Sequence, residues 1–188
     1  MRWLLRRLSS DKRGALIAEF AVAMPVLVLL LLGGVEVSRF ALLNQRMDRL
    51  ATVMGDLVAQ AETLSESDLT QLFQATGHVA WPFDMATQGV VIISSISIPP
   101  PSTTTPKITW QRHTGGLVAS SQIGIQNTTL TPPLSGNLTV AVGQTIIVSE
   151  VYYEFSPILM SALVPGHRIY HRAFFRPRIG ALTTLSAG

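Results

Sequence analysis

Residues 15–35 form an apolar run that constrains the fold more than any other part of the chain. The run is 21 residues long, and Glu19 is its only charged residue. At a rise of about 1.5 Å per residue, a helix of this length spans roughly 30 Å, the thickness of a bilayer's hydrocarbon core. The run therefore predicts a transmembrane helix. An ionisable side chain inside such a helix is costly, which marks Glu19 as a candidate functional residue.

Basic residues precede this run and predict its orientation. The first 14 residues contain five basic residues and one acidic residue, while the whole chain has a formal net charge of +3. Because the excess positive charge lies in this tail, it is no sign of nucleic-acid binding. A basic segment before an apolar span is typical of the cytoplasmic side of a membrane. We expect a cytoplasmic N-terminus and an exported C-terminal part.

The residues around the start of the run resemble a known processing signal. Lys12 and Arg13 precede Gly14, and Glu19 and Phe20 follow it. This arrangement resembles prepilin leaders that are cut by an aspartic prepilin peptidase. A longer pattern, over roughly residues 11–60, resembles TadE-type pseudopilins of the Flp (tight adherence, Tad) pilus system. The residues that carry the longer pattern are Arg13, Gly14, Ala15, Glu19, Phe20, Ala21, Pro25, Gly33, Glu36 and Arg39.

The resemblance implies a structural role in pilus assembly, adhesion and biofilm formation rather than an enzymatic activity. It implies cleavage between Gly14 and Ala15, and pairing of Glu19 with the new α-amine on the same or an adjacent subunit. The implied partners are the prepilin peptidase, other pilins and pseudopilins, the Tad secretion machinery and membrane lipid. The implied location is the bacterial inner membrane, with a periplasmic C-terminal domain that reaches the pilus or cell surface after assembly.

Other interpretations of the N-terminus and of the function stay open. Signal peptidase could cut after Ala21, Val22 and Ala23, although this motif precedes the main apolar run at 26–32, which is the wrong order for a signal peptide. An uncleaved anchor is a second alternative. The alternative function is a membrane-anchored periplasmic binding domain with no filament role.

The expected architecture is an α+β, pilin-like fold: a long membrane-spanning N-terminal helix followed by an antiparallel sheet. Apolar residues continue past Glu36 in alternating steps of three and four, which predicts an amphipathic extension of the helix. This seam could pack on the chain's own sheet or on other helices of a filament. Pro25 should kink the helix. The predicted segments are a basic prepilin-type leader at 1–14, a transmembrane helix at 15–35, the helix extension at 36–64 and a β-rich domain at 65–188.

Local patterns predict the smaller elements of the C-terminal part. Runs of β-branched residues predict strands, and Ser65 or Ser67 is the expected N-cap of a short helix at 68–75. The small, polar tail from Ile179 is expected to be mobile. The predicted strands are Gly89–Ile98, Lys107–His113, Thr145–Phe155 and His167–Arg176, with a short one at Leu138–Val142.

We find no pattern typical of catalysis, of a cofactor site or of a metal site. Glu150 and Glu154 lie four strand residues apart, about 13 Å, which is too far for a two-carboxylate hydrolase. His167 and His171 diverge along a strand and lack a nearby third ligand. The chain contains no cysteine, which excludes disulfides and thiolate metal sites.

Overall fold

A computed structural model describes residues 13–100, 102, 104–130, 139–159, 161 and 165–186. Its longest element is helix α1, Arg13–Gln60, whose helical pattern continues across Pro25. The kink expected at Pro25 stays a prediction. The chain divides into two compact units, Met1–Phe40 with Pro157–Pro165, and Ala41–Ser156 with Gly166–Gly188.

The second unit contains three short helices and one sheet. The helices are α2 (Glu66–Gln74), α3 (Thr76–Ala80) and α4 (Met85–Gln88). The strands are β1 (Gly89–Ser97), β2 (Lys107–Gly115), β3 (Thr145–Phe155) and β4 (His167–Phe175). They pair in the order β2-β1-β3-β4, and every neighbouring pair is antiparallel. The expected α+β class, a long N-terminal apolar helix followed by an antiparallel sheet, is confirmed.

Opposite charges face each other across β3 and β4. Glu150 pairs in register with Arg172, and Glu154 pairs with Arg168. The Arg168 Nε atom lies 3.2 Å from Glu154 Oε2. The register therefore agrees with the pairing of charged residues on facing strands, which disfavours a slipped register.

The C-terminal half of α1 covers one face of the sheet. Its side chains at Leu43, Met47, Leu50 and Met54 are completely buried. At Gly55 the helix comes so close that an added Cβ would lie 2.6 Å from the Phe175 ring and 3.3 Å from Ser149 Cβ. This part of the seam packs on the chain's own sheet.

The buried stripe of α1 departs from the predicted seam near its end. Leu57, which continues the alternating steps of three and four after Leu50 and Met54, is 37% exposed, whereas Val58 is fully buried. A seam of alternating three and four steps has a period of 3.5, and a straight helix of period 3.6 drifts away from it. The buried stripe therefore shifts by one residue within a few turns, from Leu57 to Val58.

A loop covers the other face of the sheet. Ile123 of this loop packs with four buried residues of the strands. Farther along the same face, Leu117 and Ala119 pack against a second cluster. The first cluster contains Ile96, Ile108, Ile146 and Val148, and the second contains Val90, Ile92 and Tyr152. With both faces covered, β1 and β3 are buried along almost their whole length.

The end of α1 and the C-terminal tail differ from the sequence predictions. The helix ends at Gln60 rather than at residue 64. The tail is docked rather than free, since Leu182 is 5% exposed and the Ser186 amide donates to the Leu64 carbonyl at 2.9 Å. Backbone groups of the tail thus pair with residues that the prediction had placed in the helix. Composition alone gives no sign of such backbone pairing.

Two predictions for smaller elements had different outcomes. Ser65 caps α2 through a capping box, in which its hydroxyl accepts from the Asp68 amide at 3.1 Å and its amide donates to Asp68 Oδ2 at 3.0 Å. The strand predicted at Leu138–Val142 is wrong for residues 139–142, which are irregular, and Leu138 lies outside the described residues. A turn at 141–144, closed by the Gln144 amide and the Ala141 carbonyl, takes the place of that strand.

Candidate functional site

The predicted cleavage junction lies at the start of α1. Gly14 and Ala15 are helical and exposed. An added Cβ at Gly14 would meet nothing within 4 Å, so packing within the chain does not require glycine here. Glycine weakens a helix by about 0.8–1.0 kcal/mol relative to alanine, which makes this peptide bond easier to unwind. Lys12 and the Arg13 side chain, two of the predicted recognition residues, lie outside the described part of the chain.

The other predicted site residues follow on the same helix. Glu19 is exposed and lies four residues after Ala15, so the two positions are neighbours on one helix face. Phe20 is 58% exposed, and Pro25 lies inside the helix. The helix therefore presents Ala15, Glu19 and Phe20 within little more than one turn.

The first part of α1 presents apolar side chains all round. Its best window has a mean hydropathy of 2.6, and none of that window is buried. The large side chains of Ile17, Leu30 and Leu31 are 71%, 67% and 68% exposed. A helix that is apolar on every side requires an apolar environment. This helix is compatible with a single-pass membrane anchor.

A polar cluster that the sequence analysis missed lies where the apolar run ends. Glu36 is only 6% exposed. Its carboxylate accepts from Arg39 Nη1 at 2.8 Å, from the Ile158 amide at 3.2 Å and from the Leu159 amide at 2.9 Å. The sequence indicated only that Glu36 and Arg39 are neighbours on a helix. No sequence pattern marks the two loop amides as partners of Glu36, because every residue type except proline carries a backbone N–H donor.

A second buried carboxylate lies between the two apolar clusters of the sheet. Glu150 has no exposed surface. It accepts from the Ser121 hydroxyl, from the Gln122 amide at 3.0 Å and from the Tyr170 hydroxyl at 2.8 Å. Burial, and next the charge of Glu150, raise the pKa of Tyr170 and of Tyr152. The hydrogen bonds from Ser121 and Gln122 tie the covering loop to the sheet.

The residues weighed for catalysis and metal binding have structural contacts. Glu154 pairs with Arg168. His171 lies 3.3 Å from Asn44 Oδ1 and 3.7 Å from Asp48 Oδ1, through different ring nitrogens. Within the described ranges there is no group of three or more histidine, aspartate or glutamate side chains placed to hold a metal ion.

Comparison with known families identifies the N-terminal part of the chain. Residues 14–53 match the family model described as TadE-like protein. The chain contains a TadE-like segment. No curated protein and no solved structure matches the chain.

The TadE-like segment covers the apolar part of α1 and ends before the sheet begins. It begins at Gly14 and includes Glu19, the apolar run, and both Glu36 and Arg39. It ends at Val53, before the end of α1, so the sheet lies outside the match. The match supports a protein associated with the Tad pilus, and the TadE-like family is a structural component of that pilus rather than an enzyme family.

Proposed function

We propose that this chain is a minor pseudopilin that takes part in assembly of an Flp/Tad-type pilus after cleavage by a prepilin peptidase. The observation that carries the proposal is the TadE-like segment, which begins at Gly14 and whose first part is an apolar, exposed helix. In this role the chain is a substrate and a structural subunit. Its contribution to adhesion and biofilm formation follows from the pilus it helps to assemble.

The proposed maturation is hydrolysis of the peptide bond between Gly14 and Ala15. Lys12, Arg13 and Phe20 form the motif by which the peptidase recognises the junction. Cleavage removes all five basic residues of the leader. It leaves an α-amine on Ala15, which is mostly protonated at neutral pH.

Glu19 is the proposed counter-charge of that amine. Its position one turn after Ala15 allows pairing within a subunit, and its exposure allows pairing with the amine of an adjacent subunit. In a medium of low dielectric constant, an unpaired carboxylate or ammonium is strongly unfavourable. Pairing of the Ala15 amine with Glu19 would therefore favour subunits with packed helices over isolated subunits.

The surface available for helix packing in a filament is the N-terminal part of α1. Leu43, Met47, Leu50 and Met54 are already buried by the chain's own sheet. Between residues 14 and 31 every side chain of α1 is exposed. We therefore assign contacts with other pilins to this part, together with contacts to lipid before assembly.

The proposed location is the bacterial inner membrane, with a cytoplasmic leader and a periplasmic C-terminal domain. The partners in this location are the prepilin peptidase, other pilins and pseudopilins, and the Tad secretion machinery. After assembly, the subunit would belong to the pilus or the cell surface.

The N-terminus of the protein from its native membrane tests the proposal. Cleavage by a prepilin peptidase gives Ala15 as the first residue, cleavage by signal peptidase gives Met24, and an uncut anchor retains the leader. Mass spectrometry of the N-terminal peptide separates the three outcomes. A mature N-terminus at any residue other than Ala15 contradicts the proposed maturation.

The variant Gly14→Arg sharpens this test. We expect it to block cleavage, since a bulky charged side chain cannot enter a peptidase site shaped for glycine. Gly77→Arg is the matched control, because an added Cβ at Gly77 also meets nothing within 4 Å. The control should be cleaved at the normal rate. Normal cleavage of Gly14→Arg would refute recognition of this junction.

A further inference from the structure

The segment Pro157–Pro165 belongs to the same compact unit as the apolar part of α1. It connects β3 to β4, and no residue from 157 to 166 is charged. Its described residues Ile158 and Leu159 are 67% and 45% exposed. Connections between strands are usually polar, so two large exposed apolar side chains in an uncharged segment call for an explanation.

The backbone of this segment is fixed to α1 at one defined level. The amides of Ile158 and Leu159 donate to the Glu36 carboxylate at 3.2 Å and 2.9 Å. Glu36 directly follows Val35, the last residue of the apolar run. Side chains of a helix point towards its N-terminus, so the carboxylate lies on the apolar side of its own Cα. Ile158 and Leu159 are thus held at the end of the apolar run.

The helix adds exposed apolar surface at this level. Val35 and Val37 are 43% and 68% exposed. Arg39 is the first basic residue after the apolar run, and its guanidinium pairs with Glu36 at 2.8 Å. Apolar side chains next to a basic residue at the end of a span are typical of the boundary between acyl chains and headgroups.

We propose that Ile158 and Leu159 insert into the membrane, in the leaflet at the C-terminal end of the apolar run, and that Glu36 positions them there. The occupant of this surface is phospholipid, because the surface is continuous with the apolar helix on the same unit. The inference rests on the proposed membrane span. It adds a second membrane contact, far from α1 in sequence.

Fluorescence quenching in vesicles tests this contact in the full-length protein. The chain has no cysteine, so Ile158→Cys carries a single environment-sensitive label without further changes. The vesicles contain phosphatidylethanolamine and phosphatidylglycerol, with or without lipids that bear a quencher on the acyl chain. Ile125→Cys is the matched control, since Ile125 is also 67% exposed. A label on Leu30→Cys shows whether the apolar part of α1 lies in the membrane.

We expect a blue shift and strong quenching at positions 158 and 30, and neither effect at position 125. Quenching at 30 without quenching at 158 would overturn the proposal. Equal quenching at 158 and 125 would also overturn it, because the contact would then not be specific. A blue shift at 158 without lipid quenching would mean that protein, such as a second copy, covers the site, and lipid would be rejected as the occupant. Absence of quenching at 30 would instead refute the span and therefore the proposed location.

The variant Glu36→Gln tests the positioning role. It removes the charge that accepts from both loop amides, so quenching at position 158 should fall while quenching at position 30 stays unchanged. Glu62→Gln, at an exposed carboxylate of the same chain, is the control and should change neither signal. Unchanged quenching at 158 in Glu36→Gln would reject Glu36 as the residue that holds the loop.

Discussion

At the scale of single residues, the carboxylate inside the apolar run and the one directly after it have opposite surroundings. Glu36 is almost completely buried and accepts hydrogen bonds from Arg39 and from two backbone amides. Glu19 lies exposed among apolar side chains. Insertion scales put the cost of an Asp-like charge at the centre of a span at about 2.5–3.5 kcal/mol, with less near its ends. The charge of Glu36 is therefore already compensated within the chain, whereas we propose that the charge of Glu19 is compensated by the Ala15 amine after cleavage.

The variant Glu19→Leu separates a filament subunit from a simple anchor. We expect normal membrane insertion and normal cleavage after Gly14, but loss of pili, because the Ala15 amine would have no counter-charge in the packed helices. Processing, membrane level and surface piliation are measured together in a strain without the native copy. Glu62→Leu, at an exposed position, should retain pili. Normal piliation with improved membrane retention in Glu19→Leu would favour the anchored-domain alternative.

Two tyrosines next to Glu150, the buried Tyr152 and the partly buried Tyr170, predict a loss of stability at alkaline pH. Burial and the Glu150 charge raise the pKa of Tyr170 above its ordinary value of about 10. Above pH ~10 the unfolded chain therefore releases the tyrosine proton more readily than the folded chain, so the free energy of unfolding falls as the pH rises. Tyr170→Phe should show a shallower fall above this pH. At neutral pH it should cost about 1.5–3 kcal/mol, the range for a hydrogen bond to a charged group.

Denaturant unfolding of the detergent-solubilised protein measures both effects of Tyr170→Phe. The measurement is repeated from about pH 7 to about pH 11, because the ordinary pKa of tyrosine is about 10. Ile169→Val is a suitable control, because it removes one methyl group from a buried side chain, which usually costs about 0.5–1.5 kcal/mol, and leaves all three tyrosines in place. It should retain the alkaline slope of the parent. Identical slopes for Tyr170→Phe and the parent would contradict the role assigned to Tyr170.

At the scale of elements, α1 combines two kinds of helix in one. Its first part is apolar all round and unburied, whereas its last part buries one stripe against the sheet. The helix approaches the sheet closely at Gly55, next to Phe175 and Ser149. A side chain at this position would have to displace the Phe175 ring. The packing of α1 on the sheet is therefore sensitive to side-chain size at Gly55.

We expect Gly55→Val to lower the free energy of unfolding by about 1–3 kcal/mol, the usual cost of overpacking a well-packed core. Gly77→Ala is the control, because nothing lies within 4 Å of an added Cβ in α3. It should be neutral or stabilising by up to about 1 kcal/mol, the difference in helix propensity. Urea unfolding of both variants gives the comparison. A Gly55→Val protein as stable as the parent would show that the helix does not approach the sheet this closely.

The strands could be predicted from the sequence because their signal is local. Runs of β-branched residues predicted β3 with its observed bounds, and the opposite charges of Glu154 and Arg168 agree with the observed pairing of β3 with β4. The docked tail could not be predicted in this way. The Leu182 carbonyl accepts from the Trp110 indole at 2.8 Å and from the Ser95 hydroxyl at 2.9 Å. A carbonyl is present in every residue, so no sequence pattern marks the one that is used.

The same distinction applies to the candidate site. Gly14, Glu19 and the apolar run lie within one short segment, and the family model matches that segment. In the Glu36 cluster, the carboxylate accepts from the backbone amides of Ile158 and Leu159, which lie 122 and 123 positions further along the chain. Its only local sign is a glutamate at the end of an apolar run. An uncharged connection between two strands, at 157–166, is the second sign that could have indicated it.

At the scale of the whole molecule, the distribution of charge predicts how the chain crosses the membrane. The basic residues before Ala15 outnumber the acidic ones by five to one, and such segments are retained on the cytoplasmic side. A reporter fused after Leu64 should therefore be active if it functions only in the periplasm and inactive if it functions only in the cytoplasm. The control carries neutral glutamines in place of the five basic residues and should lose this strict orientation. Activity of a cytoplasm-only reporter after Leu64 in the unaltered chain would reverse the topology, and it would place the sheet on the side of the membrane where no pilus is assembled.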